Sequence, residues 1–195
     1  MVLPSIERPK KLPVVLSRNE VRQLLKAPKL LKHRLVLAML YGCGLRSFEL
    51  CNLQLKDLDL ERMMLHIRQG KGRKDRYVPL CAMQVRGLRK YISAERPVTW
   101  CFNGNDSKGD PVALSTTGVQ WIVREARKHS GIQKEVTTHS LRHSYATHLL
   151  EMGLDIISVK DLLGHADIQT TLTYLHVAQL GRQRPFSPLE RLYNK

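Results

Sequence analysis

Apolar residues recur at helical spacing along most of this chain and alternate in one short region. Ser17-Arg-Asn-Glu20 stands ahead of VRQLL, and Ser followed three residues later by Glu is a capping-box pattern. It predicts a helix from Ser17 to about Pro28. The nearly continuous apolar stretch LVLAMLYG (35–42) predicts a second helix, from about Leu30 to Tyr41, stopped by Gly42 and Gly44. A short helix or turn follows Arg46, and Asp57 to Asp59 mark a turn. Met63 to Gln69 and Asp75 to Leu80 read as strands, joined by the glycine-bearing hairpin tip Gly70-Lys-Gly-Arg-Lys74. Cys81 to Ala94 is an amphipathic helix. Residues 95–114 read as irregular, with the Gly/Asn/Asp cluster at 103–110 as an exposed loop. Ser115 caps a helix to about His129. Further helices are predicted over 139–152, over 155–163, and from Asp167 to about Val177. The fold class is α+β, mainly α-helical, with a small antiparallel β-sheet near the N-terminal third.

The ends read differently. Residues 1–16 carry three prolines and little periodicity, so they are expected to be a linker or tail ahead of a domain spanning 17–178. In the tail, 179–195, Ser187-Pro188-Leu-Glu190 combines an N-cap residue, Pro at the first helical position and an early acid, which predicts a short helix.

At 195 residues and 43% hydrophobic, the chain can bury the core of one ordinary domain. No apolar run approaches the roughly 18–20 residues of a membrane span, and the N-terminus lacks the pattern of a secretory signal. The expected location is the cytoplasm. Charge narrows the partners further. Lys and Arg number 32 against 17 Asp and Glu, a net charge of +15. Such an excess repels itself in the free protein and is offset when counterions are released from a nucleic acid. The four cysteines, Cys43, Cys51, Cys81 and Cys101, lie far apart without a CxxC pair. They are expected to be reduced packing residues rather than disulfides or a zinc site.

Six residues carry the candidate chemistry: Arg46, Lys71, His139, Arg142, His165 and Tyr174. Arg46 follows a glycine-rich helix end, where an arginine is most often plain surface. Its guanidinium fork also suits a phosphate. Lys71 sits at the hairpin tip with Arg73, Lys74 and Arg76, a charge cluster that serves solubility or enters a DNA groove. A lysine there is able to deliver a proton to a leaving oxygen. His139 and Arg142 are three apart and share a helical face. His139 with His143 is a rival zinc pair, but HExxH is absent and no third ligand is evident. Gly164-His165 follows a helix end, where histidines often cap carbonyls. Tyr174 lies in an amphipathic helix, where tyrosines are usually half-buried packing residues. Together the set holds cations, imidazoles and a phenol, with no carboxylate. That is a kit for holding a phosphate and attacking it with a phenol oxygen, with no metal or other cofactor.

The strings GLRSFEL (44–50), GKGRKDR (70–76), HSLRHSYATHLL (139–150) and LLGHADIQTTLTYLHV (162–177) resemble the catalytic domain of tyrosine recombinases, the lambda-integrase family, with the closest likeness to Xer-type bacterial integrases. The likeness covers about residues 17–178. The resemblance implies that Tyr174 attacks a scissile phosphodiester of double-stranded DNA, forming a 3′-phosphotyrosyl link and freeing a 5′-hydroxyl. It implies that His139 takes the phenol proton, that Arg46 and Arg142 clamp the non-bridging oxygens, and that His165 hydrogen-bonds the phosphate. Lys71 aligns with the lysine that protonates the leaving oxygen, with Arg73 and Lys74 as near rivals. The implied outcome is DNA integration, excision or inversion by a tetramer on DNA, near the nucleoid, in some cases with an accessory DNA-bending protein. The tail helix is expected to pass to a neighbouring protomer. Family members usually carry a DNA-clamping domain ahead of the catalytic one. With 16 residues before Ser17, that domain is either removed or naturally absent, as in fimbrial switch inversion proteins. Other readings stay open: a regulator that retains the site, a relaxing enzyme of the type IB topoisomerase kind and, distantly, a zinc hydrolase.

Overall fold

The computed structural model describes residues 13–68 and 75–179. Helices α1 (Arg18–Lys26), α2 (Leu31–Gly42) and α3 (Ser47–Cys51) lead through a 3-10 turn to strands β1 (Leu58–Asp59), β2 (Met64–Ile67) and β3 (Arg76–Pro79). Helix α4 (Ala82–Glu95) follows, then the pair β4 (Asn103–Asn105) and β5 (Pro111–Ala113). Four helices complete the described chain: α5 (Thr116–Ser130), α6 (Thr138–Glu151), α7 (Ile156–Leu163) and α8 (Gln169–Gln179). The mainly α-helical α+β reading holds. The expected tail helix at Ser187 and the linker before residue 13 lie outside the described residues.

Local chemistry explains the helix starts. The Ser17 hydroxyl accepts from the Glu20 amide at 3.2 Å, and the Glu20 carboxylate accepts from the Ser17 amide at 2.6 Å. Each satisfies a backbone donor that the first helical turn leaves unpaired. Thr137 caps α6 in the same way, accepting from the Ser140 amide at 3.1 Å.

The sheet is antiparallel in the order β1-β2-β3. Leu65 of β2 faces Val78 of β3, and both are fully buried. Two findings correct the sequence reading. Leu58–Asp59, expected as part of a turn, is a third strand, pairing Leu58 with Leu65. The segment 95–114, expected as irregular, contains the hairpin β4-β5, whose turn is closed by Asp106 accepting from the Lys108 and Asp110 amides at 2.8 Å.

The core has two parts. The larger centres on α2, whose Leu35, Val36, Leu37, Met39 and Leu40 are buried because α1, α4, α5 and α6 pack around it. The smaller joins α6, α7 and α8 through Tyr145, Ala146, Leu150, Val159, Leu163, Tyr174 and Ala178. Two glycines hold close approaches between the elements that bear the candidate residues. Gly44 has φ +59°, and a Cβ there would lie 2.5 Å from the Tyr145 ring. Gly164 has φ +63°, and a Cβ there would lie 2.9 Å from the Arg76 guanidinium. Both the left-handed backbone and the space exclude other side chains.

Candidate active site

The backbone turn at Gly44 delivers Arg46 to the start of α3. Its Nη1 donates to the Glu49 carboxylate at 2.9 Å, and its amide donates to the other oxygen at 2.9 Å. Glu49 is 8% exposed and stands at the centre of three arginines. Arg76 meets it bidentately, with both Nη atoms at 2.8 Å. Arg142 lies 3.9 Å away. Burial opposes ionisation of Glu49, but Arg76 and its fellow cations outweigh it and hold the carboxyl below its ordinary value. The arginines are placed by the backbone as well. Arg76 Nε donates to the Leu162 carbonyl at 2.8 Å, and Arg142 donates to the Gly44 and Leu163 carbonyls at 2.5 and 2.6 Å. Burial, then the neighbouring Arg46, lowers the Arg142 pKa to about 10, so it stays charged at neutral pH.

Beside this cationic floor lies Tyr174, 4% exposed on α8. Burial pushes its phenol upward, and Arg142 and Arg46 partly counter that. Its hydroxyl lies 3.0 Å from Nδ1 of His143. The His165 ring lies near-parallel to the Tyr174 ring, centroids 6.1 Å apart, and its Nδ1 meets the Thr171 hydroxyl at 2.9 Å. His139 is exposed, one helical turn from His143, with ring centroids 6.3 Å apart.

The structure therefore brings Arg46, Arg142, His165 and Tyr174 together and sets His139 at the edge. Lys71, Arg73 and Lys74 lie outside the described residues. The strands flanking them are paired up to Ile67 and Arg76, and at the base Asp75 meets His66 at 2.9 Å. Arg76 is a correction. Expected as a DNA contact, it is 9% exposed and bonded to Glu49 and Leu162, because the alternation of β3 turns Arg76 and Val78 inward. Two residues outside the expected set join them: Glu49, whose signal was its i+3 spacing from Arg46, and His143, weighed in the sequence only as a zinc ligand. Among the described residues no group of three His, Cys, Asp or Glu is placed to hold a metal ion. Cys43, Cys51 and Cys101 are buried free thiols, as expected of packing residues, whereas Cys81 is exposed at the start of α4.

The buried and half-buried imidazoles make a stability prediction. Burial first, then His139 and Arg142, lowers His143 to about 4, and burial lowers His148 and His33 too. A group depressed on folding contributes fully above its unfolded value of 6.5 and loses that contribution as pH falls toward 4. Urea midpoints are expected to drop between pH 7 and 4.5. His143→Gln is expected to shrink that drop by on the order of 1 kcal/mol, partial exposure having weakened the effect. An unchanged drop would remove His143 from the explanation.

A cluster of guanidinium cations set against a buried, hydrogen-bonded tyrosine, on a helical domain with two small antiparallel sheets, points to the class. The chain matches the Phage integrase family over residues 14–180 and belongs to it. It is 40% identical over 171 residues to the tyrosine recombinase XerA of Thermococcus onnurineus, covering 87% of this chain and 60% of that protein. It is 41% identical over 191 residues to the putative integrase/recombinase y4qK of Sinorhizobium fredii, covering 98% of this chain and 61% of that one. The chain thus spans about three-fifths of the length of these relatives. A crystal structure of XerA recombinase superposes with TM-score 0.77 at 31% identity, over 93% of this chain and 68% of that one. A post-cleavage complex of XerH site-specific recombinase bound to palindromic difH substrate superposes with TM-score 0.75 at 28% identity, over 88% of this chain and 52% of the other. No helix among the described residues is long and apolar enough to cross a membrane.

Proposed function

We propose that this chain breaks and rejoins double-stranded DNA site-specifically through Tyr174, as the catalytic part of a tyrosine recombinase that integrates, excises or inverts DNA. The observation that carries the reading is the Tyr174 hydroxyl, bonded to His143 at 3.0 Å beside Arg142 and Arg46. A phenol is a weak nucleophile at neutral pH and needs a group to take its proton and cations to receive the charge on phosphorus. Arg46 and Arg142 clamp the non-bridging oxygens, His165 hydrogen-bonds the phosphate, and His139, at the rim, takes the phenol proton. Lys71 gives its proton to the leaving 5′ oxygen. The 3′-phosphotyrosyl link conserves the phosphodiester energy, so a free 5′-hydroxyl reverses the step without ATP. The excess positive charge supports a DNA partner, and the setting is the cytoplasm, on the nucleoid.

Four protomers assemble on DNA, in some cases with a DNA-bending protein. The apolar groove between α2, α4, α6 and α7, lined by Tyr41, Leu80, Met83, Leu149, Leu154 and Leu162, receives the tail helix of a neighbour, with Leu189 and Leu192 as its contacts. Leu189→Asp with Leu192→Asp is expected to leave single-protomer DNA binding in place and to abolish higher assemblies on native gels. Unchanged assembly would reject the exchange.

The test is covalent capture. The protein is mixed with genomic fragments of its host in chelator and denatured with detergent, and DNA still joined to protein is sequenced. Adducts at one recurring sequence support the reading and reveal the target. DNA bound before denaturation without any adduct after it rejects the chemistry. Arg142→Lys is expected to abolish adducts too, because an ammonium reproduces neither the planar fork nor its bonds to Gly44 and Leu163.

A further inference from the structure

We infer that Arg76 is a positioning residue of this site: by occupying both oxygens of Glu49, it keeps Arg46 and Arg142 available to a phosphate. The inference rests on the recombinase reading above and goes beyond it, giving a role to an arginine that is turned inward and 9% exposed.

A carboxylate buried among several guanidinium groups bonds those that reach it, and each bond takes donors away from a ligand. Here the fork of Arg76 takes the carboxylate, Nη1 on Oε1 and Nη2 on Oε2, both at 2.8 Å. Arg46 is left with one side-chain bond, from Nη1 to Oε1 at 2.9 Å, and Arg142 stands off at 3.9 Å. Arg142 bonds the Gly44 and Leu163 carbonyls instead. A guanidinium carries five N–H donors, more than these bonds use.

A second anchor fixes Arg76 itself. Its Nε donates to the Leu162 carbonyl at 2.8 Å, beside the Leu163 carbonyl that holds Arg142. Both carbonyls belong to the last turn of α7, where the helix leaves acceptors unpaired and its dipole favours cations. Gly164 and His165 follow directly, and the lack of a side chain at Gly164 makes room for the Arg76 guanidinium. One arginine thus ties β3 to α3 and to the turn that bears His165. Without it, the freed oxygens of Glu49 would be a buried charge short of partners. Arg46 and Arg142 are the cations nearest to them. Drawn onto Glu49, both would lose donors and orientation toward a phosphate.

The experiment measures the rate of adduct formation at saturating DNA, on the target that covalent capture reveals. The chains compared are the natural one, Arg76→Met, Arg76→Met with Glu49→Gln, and Arg76→Lys, with each rate referred to the folded fraction. Methionine keeps an apolar stem and removes the charge and the fork. Arg76→Met is expected to lose about 10²-fold, the scale of a small misplacement of binding groups. Adding Glu49→Gln is expected to win back about tenfold, the weight of one charge-assisted hydrogen bond released from Arg46 or Arg142. A residue that only held the fold together would give a double variant slower than either single change. Arg76→Lys keeps a charge without the fork. It is expected to fall between the natural chain and Arg76→Met, and it carries the test if the methionine variant does not fold. A natural rate in Arg76→Met or Arg76→Lys, or a double variant no faster than Arg76→Met, overturns the inference. Each of these results, beside a natural chain that forms adducts and a Tyr174→Phe chain that does not, leaves the recombinase reading standing. A natural chain that binds the DNA and forms no adduct rejects that reading, and the inference with it.

Discussion

Tyr174→Phe is expected to bind DNA as the natural chain does and to form no covalent adduct with it. The change removes one oxygen from a ring that is 4% exposed and packed with Tyr145, Ala146 and Leu163. The apolar contacts survive. The lost hydroxyl leaves Nδ1 of His143 without its bond, a cost of about 1 kcal/mol for a partner left part-buried. Folding and the cationic floor therefore persist, and with them the attraction for phosphate. Chemistry does not persist, because no other hydroxyl stands where the phenol stood. Loss of an enzyme's nucleophile is felt as roughly 10⁴-fold or more. A detergent-resistant adduct formed at the natural rate by the phenylalanine variant would overturn the assignment of Tyr174.

Glu49→Ala is expected to be the most damaging change outside Tyr174, and to act first on stability. The substitution strips the shared carboxylate from Arg46, Arg76 and Arg142. The side chains of Arg76 and Arg142 are 8% and 4% exposed, so they cannot recover hydration. Breaking a buried ion pair from one side costs about 3–5 kcal/mol, because a desolvated charge is left behind. Denaturant unfolding should show that loss at pH 7. The natural chain should approach the variant in acid. Glu49 is depressed on folding, so its contribution is present above its unfolded value of 4.5 and fades as pH falls below it. Glu49→Gln, which retains volume and one acceptor, should fall between the two. Equal stability of the natural and alanine chains at pH 7 would mean that the arginine cluster does not depend on its acid.

Much of this was legible because the deciding interactions are local. The capping box at Ser17, the cap at Ser115 and the stop at Gly164 lie within a few residues of the elements they bound. What was missed depends on partners far along the chain. Arg76 reads as one more charge in GKGRKDR until Glu49, 27 residues earlier, is folded against it. The Tyr174 hydroxyl finds His143 across 31 residues, and nothing in HSLRHSY distinguishes His143 from His139 until α8 is docked. Strand β1 is two residues long, too short for alternation to show. The β4-β5 pair is rich in Asn and Gly and bounded by Pro, a composition that reads as loop.

The arginine cluster has a consequence for the birth of the protein. Arg46 and Glu49 emerge early in synthesis, Arg76 later, and Arg142, His143, His165 and Tyr174 only with the final third of this sequence. Arg142 takes its position from the carbonyls of Gly44 and Leu163, and Arg76 from Glu49 and Leu162. Neither half of the pocket is shaped without the other. A prematurely terminated chain carries Arg46, Glu49 and Arg76 without the residues of α6 and α8 that complete the pocket. The pocket is thus completed only when α6 and α7 pack against the Gly44 turn and β3.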